Sequence, residues 1–147
     1  MKLHKIAPVC ALMLLSCASL WAQTKKTVAK APASSLSSHI TNGKAVYSKI
    51  CITCHMADGL GVQNMNPPLV KTTYVLGNKA KLISIVLNGF NESVEIDGST
   101  YSNIMPSQDF LKDQEIADVL TYVRNSFGNK ASAVTLADVK KARAARK

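Results

Sequence analysis

Apolar residues recur at helical spacing in three segments of the chain. The last segment, about residues 113–125, gives the clearest pattern, because its apolar positions follow the first one by three, four, seven and eleven residues. Side chains at this spacing share one face of a helix, and that face should pack against a core. The residues on it are Ile116, Val119, Leu120, Val123 and Phe127.

Two shorter helices are predicted earlier in the chain. One covers residues 78–89, with Asn78 as its N-cap and Gly89 at its end. Its inward-facing residues should be Leu82, Ile83, Val86 and Leu87. The other runs from about Asn42 into Cys51, with Thr41 or Asn42 as its N-cap. The apolar stripe of that helix consists of Ala45, Val46 and Ile50.

The remaining segments have different patterns. Glycine and proline are frequent in residues 56–77, which should therefore be mostly loop. Apolar and polar residues alternate around Asp97-Gly98, a pattern typical of two short strands joined by a turn. The C-terminal residues favour a further short helix, with Thr135 as its N-cap and apolar positions along one side at Leu136, Val139 and Ala142.

The N-terminal residues are expected to be removed or to act as a tether. Residues 1–22 have a basic start, an apolar run and then small residues, which is the pattern of an export signal. Cleavage after Ala22 is the preferred interpretation, and the alternative is a lipobox at residues 14–17 that would make Cys17 a lipid anchor. Either interpretation predicts an exported, periplasmic protein. Residues 23–38, rich in Ser, Ala and Lys, predict a flexible linker.

Positive charge is concentrated at the two ends of the chain. The expected domain, residues 39–127, carries seven basic and eight acidic side chains, whereas the basic extension, residues 128–147, carries six basic and one acidic. A nucleic-acid partner is not expected, because the domain has no basic patch with interleaved aromatic residues. The basic ends favour contact with an anionic membrane surface or an acidic partner, or else they are simply solvated, and these interpretations stay open.

Only two of the four cysteines, Cys51 and Cys54, lie in the expected domain. A disulfide-built scaffold would use several spaced pairs, and a thioredoxin-like motif would lie in a βαβ pattern that the flanking residues lack. A tetrahedral zinc site needs four ligands, but the only histidine of the exported chain besides His55 is His39. The remaining interpretation is C-x-x-C-H as a c-type haem attachment sequence.

This interpretation predicts one covalently bound haem c, attached to Cys51 and Cys54, with His55 as an iron ligand. A second ligand is then sought among the methionines, since electron carriers usually have His and Met or two His on the iron. Met56 directly follows His55 and cannot reach the opposite haem face, and Met65 lies in a flexible loop. Met105 lies fifty residues after His55 and is followed by Pro106, which stiffens its loop. Met105 is therefore the expected ligand, and His39 is expected at the surface.

In its ordered motifs the chain resembles the class I c-type cytochromes. The resemblance covers about residues 39–127: "NGKAVYSKICITCH" is similar to the first helix and haem motif, "ADGLGVQNMNPPLV" to the loop ending in Pro-Pro-Leu, and "YSNIMPSQDFLKDQEIADVLTYVRNSFGN" to the Met-Pro loop and last helix. The resemblance implies an all-α cytochrome c fold, with three core helices packed around one haem and long loops between them.

The resemblance also implies roles for individual residues. Gly43 on the first helix would cross closely against Tyr122 on the last. The Pro67 carbonyl would accept the Nδ1 proton of His55 and fix the ring. Leu69 would line the haem pocket. The resemblance makes Tyr74 and Tyr101 candidates for haem-propionate hydrogen bonds and Asn103 a candidate for contact near the Met105 sulfur. Lys112 stands where the family commonly has a capping Ser or Thr, and Asp113 would compensate at the helix N-terminus.

With both axial positions filled, iron has no open site, and the expected function is single-electron transfer between redox partner proteins, without catalysis of its own. The donor and acceptor are unspecified, with a dehydrogenase, a nitrite reductase or a terminal oxidase as examples. The alternatives are a haem-bearing subunit of a periplasmic dehydrogenase or nitrite reductase complex, and a haem-based gas sensor in which Met105 dissociates.

Overall fold

Helices dominate residues 33–146, the part of the chain that the computed structural model describes, with side chains described from Leu36 onward. In chain order the elements are α1 (Ala33–Ile50), α2 (Ile52–His55), α3 (Thr73–Leu76), α4 (Lys79–Asn88), β1 (Val94–Ile96), β2 (Ser99–Tyr101), α5 (Asp113–Arg124) and α6 (Leu136–Ala144). The expected export signal, Cys17 and most of the expected linker lie outside the described residues.

The framework of the fold is the crossing of α1 and α5, which lie close together at Gly43. A Cβ atom added to Gly43 would lie 2.0 Å from the carbonyl oxygen of Asp118 and 2.7 Å from Cβ of Tyr122. Only glycine therefore permits this approach, as the resemblance implied for Gly43 and Tyr122. Next to the crossing, the rings of Tyr47, Tyr122 and Phe127 contact one another at centroid distances of 5.4 to 5.5 Å.

The start predicted for the first helix was wrong, because α1 begins at Ala33, well before Asn42. The hydroxyl of Thr41 donates to the carbonyl of Ser37, one turn earlier, and therefore does not cap a new helix. The last six residues of the expected linker are consequently helical. Ala45 was also misplaced, since it is exposed, and the buried positions of this face are Gly43 and Tyr47.

The predictions for α4, the hairpin and α5 are confirmed. The Asn78 side chain accepts from the backbone N–H groups of Ala80 and Lys81, and the four predicted residues of α4 are buried. Strands β1 and β2 pair antiparallel, and the turn between them has positive φ at both Asp97 and Gly98, as a two-residue hairpin requires. Helix α5 ends at Arg124 and buries all four of its predicted apolar residues.

Two details of the helix termini differ from expectation. The one-turn helix α3 lies within the predicted loop, and the Thr72 hydroxyl caps it by accepting from the N–H of Val75 at 3.2 Å. At the start of α5, the N–H of Lys112 donates to the carboxylate of Glu115 at 2.8 Å. Glu115 therefore supplies the cap contact, and Asp113 instead forms an ion pair with Arg143.

The C-terminal segment packs on the core. Thr135 caps α6 as expected, and Val134 and Val139 are buried against α4 and α5. The Leu136 side chain is largely exposed, so Val139 anchors the helix. Within residues 33–146, no helix combines the length and apolar character needed to cross a membrane.

Candidate cofactor site

One cavity brings the candidate site residues together. It lies between the C-x-x-C-H segment, the loop that carries Met105, and the inner faces of α4 and α5. All nine residues that the sequence nominated line it: Cys51, Cys54, His55, Pro67, Leu69, Tyr74, Tyr101, Asn103 and Met105. They come from segments up to fifty residues apart, so the fold assembles the site.

The imidazole of His55 is held in one orientation by the backbone of the following loop. The Nδ1 atom of His55 lies 3.0 Å from the carbonyl oxygen of Pro67 and donates to it. Gly61, at φ +68°, allows this contact, since a Cβ atom there would lie 2.7 Å from the same carbonyl oxygen. Burial lowers the pKa of His55, and the Pro67 hydrogen bond opposes that shift. The ring is therefore neutral near pH 7, with Nε2 free to bind a metal.

The two cysteines lie at one wall of the cavity as free thiols. Cys51 is half-buried and Cys54 is exposed, and they are not joined to each other. Burial, with a smaller contribution from the nearby Cys54, raises the pKa of Cys51 to about 11. A thiol that is protonated at neutral pH does not suit a redox dithiol, which needs a lowered pKa. The pair fits a covalent attachment site better than a disulfide-exchange site.

Met105 reaches the cavity from a loop that is fixed to the end of α4. Its backbone N–H and carbonyl each form a 2.8 Å hydrogen bond with Phe90, so the main chain at Met105 is held on both sides. Met56 and Met65 do not line the cavity, and the Met65 side chain is 49% exposed. His39 is also outside it, at the surface, with its Nδ1 atom 2.5 Å from the Asp118 carboxylate.

The polar groups of the cavity wall lie at its hairpin side. The hydroxyls of Tyr74 and Tyr101 have no hydrogen-bond partner among the residues described, although Tyr101 is buried. Asn103 donates from its side chain to Asn66 at 3.1 Å and from its backbone to the Met65 carbonyl at 3.2 Å. Two phenols that face the cavity without a protein partner are suited to an acidic group of a cofactor.

Sequence reasoning did not nominate most of the apolar wall. Helices α4 and α5 contribute Leu82, Ile85, Val86, Val119, Leu120 and Val123, and the hairpin region adds Phe90, Val94 and Ile96. The helical periodicity had identified several of these as core positions, but a one-dimensional pattern does not distinguish a core contact from a cofactor contact. The wall suits a large apolar group, and the donor set of imidazole, thioether and two thiols suits a covalently attached haem.

Comparisons with known proteins agree with this site. The family model for cytochrome c matches residues 40–127. Cytochrome c-552 of Thermus thermophilus is 32% identical over 92 residues, which cover 60% of this chain and 70% of the relative. A second cytochrome c-552 from another strain of that organism has the same identity over the same length, and the match covers 62% of it.

Larger relatives contain a similar segment. The cytochrome c subunit of a quinone-type alcohol dehydrogenase from Gluconacetobacter polyoxogenes is 38% identical over 111 residues, covering 69% of this chain but 22% of the relative. The cytochrome subunit of fructose dehydrogenase from Gluconobacter japonicus is 32% identical over 112 residues, with 71% and 22% coverage. The chain thus spans about a fifth of the length of these subunits.

The family match covers more than half of the chain, and its limits enclose every nominated residue of the cavity. The Cys51 and Cys54 spacing is the one that family uses for covalent attachment. This chain therefore belongs to the cytochrome c family, and it is an electron-transfer protein that carries one haem c bound through Cys51 and Cys54.

Proposed function

We propose that His55 and Met105 are the axial ligands of the haem iron and that the chain transfers single electrons between other proteins. The observation that carries this proposal is that both side chains line the cavity from different elements, while Met56, Met65 and His39 do not. The neutral imidazole of His55, oriented by Pro67, offers Nε2 as a ligand atom. The loop of Met105, pinned to Phe90, offers the thioether.

The surrounding residues give this pair its chemical effect. When bound, haem c supplies a one-electron couple, and a Met ligand and a dry apolar environment both favour its reduced form. The apolar faces of α4 and α5 exclude water from the cavity. The hydroxyls of Tyr74 and Tyr101 donate to acidic groups of the cofactor, and Asn103 adds a polar contact beside Met105. Because no axial position is left open, the site does not bind a substrate.

The carrier is proposed to work in the periplasm, as part of a respiratory chain. The export-signal pattern of residues 1–22 supports this location, and cleavage after Ala22 would release the protein while lipidation of Cys17 would anchor it. Its partners are redox proteins that dock briefly beside the haem, over a small interface. The basic ends of the chain favour an anionic membrane surface as a further contact.

A second candidate function is that of a haem-bearing subunit held by a dehydrogenase. The observation in its favour is the 38% identity to a segment of an alcohol dehydrogenase cytochrome c subunit, which exceeds the identity to cytochrome c-552. A permanently bound subunit would co-purify with its enzyme from native membranes, whereas a free carrier would not.

The axial ligands are tested by substitution of the methionines in the full-length haem protein. Met105→Ala should abolish the weak near-infrared band that Met–iron ligation gives to the ferric protein, and its reduced form should bind carbon monoxide readily. Met65→Ala is the matched control and should keep the band. The unaltered reduced protein should resist carbon monoxide near neutral pH. Rapid binding by the unaltered protein would favour a gas sensor, and an unchanged band in Met105→Ala would exclude Met105 as the ligand.

A further inference from the structure

The loop that follows Met105 is held at its far end by the C-terminal helix. One guanidinium, that of Arg143 on α6, makes three contacts there: Nε donates to the Asp113 carboxylate at 2.6 Å, Nη1 to the Asp109 carbonyl at 3.0 Å, and Nη2 to the Leu111 carbonyl at 2.8 Å. The neighbouring Arg146 adds longer contacts, of 3.3 Å, to the Asp109 carboxylate. The planar fork of Arg143 is thus fully engaged on residues 109–113.

The near end of the same loop is fixed by different contacts. Ser107 donates from its hydroxyl to the Leu87 carbonyl at 2.7 Å, and the N–H of Gln108 donates to the Val86 carbonyl at 2.8 Å. These bonds attach the loop to α4. After Gln108, the described hydrogen bonds that join the loop to an element other than α5 come from α6. The loop is therefore held between α4 on one side and α6 on the other.

Helix α6 lies beyond residue 127, where the match to the family model ends. The contacts of Arg143 thus add a support to the Met105 loop that comes from outside the matched domain. Three simultaneous hydrogen bonds from one planar cation, one of them to a carboxylate, are stronger and more directional than separate neutral contacts. Their natural effect is to limit movement of the segment they join.

We propose that Arg143 is a positioning residue for the haem site: by clamping residues 109–113 it keeps the preceding loop closed and the Met105 thioether at the iron. This inference rests on the proposed ligation by Met105. A thioether is a weak iron ligand, so its occupancy depends on how firmly its loop is held. Loss of the clamp should raise the population of open loop conformations, in which an added ligand can replace Met105.

The test uses the full-length haem protein in its ferric form and imidazole as the competing ligand. We expect Arg143→Ala to bind imidazole about tenfold more tightly than the unaltered protein, the effect expected when about one net hydrogen bond of closing energy is lost. Arg143→Lys keeps the positive charge near Asp113 but cannot make all three contacts, and it should fall between the two. It also serves as the milder variant if Arg143→Ala folds poorly.

Lys79→Ala is the matched control. It removes the other ion pair that joins α6 to the body of the protein, from Lys79 to Asp138 at 2.9 Å, and the exposed fraction of the Lys79 side chain, 31%, equals that of Arg143. Lys79 makes no hydrogen bond with residues 105–113 in the described structure. Its substitution should leave imidazole affinity within about twofold, even if both variants lower the melting temperature equally.

A second measurement does not depend on the iron. Hydrogen exchange of the peptide covering residues 106–112 should be faster in Arg143→Ala than in Lys79→Ala. Equal imidazole affinity and equal exchange in these two variants would overturn the inference. Met105→Ala in the same experiment separates the two proposals: if its near-infrared spectrum matches that of the unaltered protein, the ligation by Met105 is wrong, whatever the outcome at Arg143.

Discussion

Gly43 has no side chain, yet it determines how closely α1 and α5 can approach. Replacement by alanine should destabilise the folded protein by about 3 kcal/mol, because the new methyl group would meet the Asp118 carbonyl at 2.0 Å and backbone atoms cannot move aside cheaply. Alanine also favours a helix over glycine, but only by about 1 kcal/mol, so the clash dominates. Urea unfolding of the haem protein measures the difference.

The neighbouring position provides the control for this prediction. Lys44 is exposed on the same turn of α1, and Lys44→Ala should change the free energy of unfolding by no more than about 0.5 kcal/mol. If Gly43→Ala were as stable as Lys44→Ala, the close crossing of α1 and α5 would be incorrect.

At the residue scale the sequence predicted the membership of the site better than the composition of the core. The C-x-x-C-H and Met-Pro motifs carry their chemistry in a few consecutive residues, so their members could be nominated without a fold. Arg124 shows the opposite case. It is buried and donates to the carbonyls of Val75, Gly77 and Ser132, none of which is close to it in sequence. No local pattern indicates such a residue.

Among the elements, α6 shows how local capping and a tertiary ion pair combine. Asp138 accepts from the N–H of Thr135 at 2.9 Å, and the Thr135 hydroxyl accepts from the N–H of Asp138 at 3.1 Å, which forms a capping box. Lys79 on α4 donates to the same carboxylate. Partial burial acts to raise the pKa of Asp138, but the hydrogen bonds from Thr135 and Lys79 outweigh it and lower the pKa.

These contacts predict a pH-dependent effect of Asp138→Asn. Near pH 7 the substitution should destabilise the protein by about 1 kcal/mol, since it removes the ion pair and weakens the cap. The folded pKa is depressed, so the stabilisation by Asp138 is fully present above the ordinary aspartate pKa of about 4 and is lost as the pH falls through the folded value. Thermal unfolding of both proteins from about pH 7 to about pH 2 tests the prediction.

The difference in stability between the two proteins should therefore narrow below about pH 4. A difference that stayed constant down to about pH 2 would show that the charge of Asp138 contributes nothing. Lys79→Met near pH 7 is the companion variant, because it removes the ion pair and leaves the capping box intact.

Element boundaries were predictable where a local side chain forms the cap. Asn78 and Thr135 cap their helices through local hydrogen bonds, and both positions were identified from sequence. The start of α1 was missed because Thr41, a residue type that often caps, bonds backward within the helix. The cap of α5 was missed because Lys112 is not a capping residue, and the contact comes from Glu115 three positions later.

For the whole molecule, the segment after the matched domain completes the core. Asn129 is buried and joins three parts of the chain: its side chain accepts from the N–H of Lys71 and donates to the carbonyls of Leu69 and Val123. It thereby ties the loop of the cofactor site to the end of α5. No feature of the sequence indicated that this residue lies inside the core, because its partners are separated from it by up to 60 residues.

The last prediction concerns a chain that ends after Asn129. Such a protein retains residues 40–127, but it lacks Val134 and Val139, both buried, and the Val134 carbonyl and amide that pair with the Thr121 hydroxyl. Exposing the surface beneath two valines costs about 3 kcal/mol, and the lost buried hydrogen bonds add about 1 kcal/mol or more. We therefore expect the truncated haem protein to be less stable by at least about 4 kcal/mol in urea unfolding. A chain ending after Ala145 is the control, since it loses only the exposed pair of Arg146 with Asp109 among the described contacts and should stay within about 1 kcal/mol of the full chain. Equal unfolding midpoints for the two truncated chains would mean that residues 40–127 fold independently of α6, and the packing described for the C-terminal segment would then contribute no net stability.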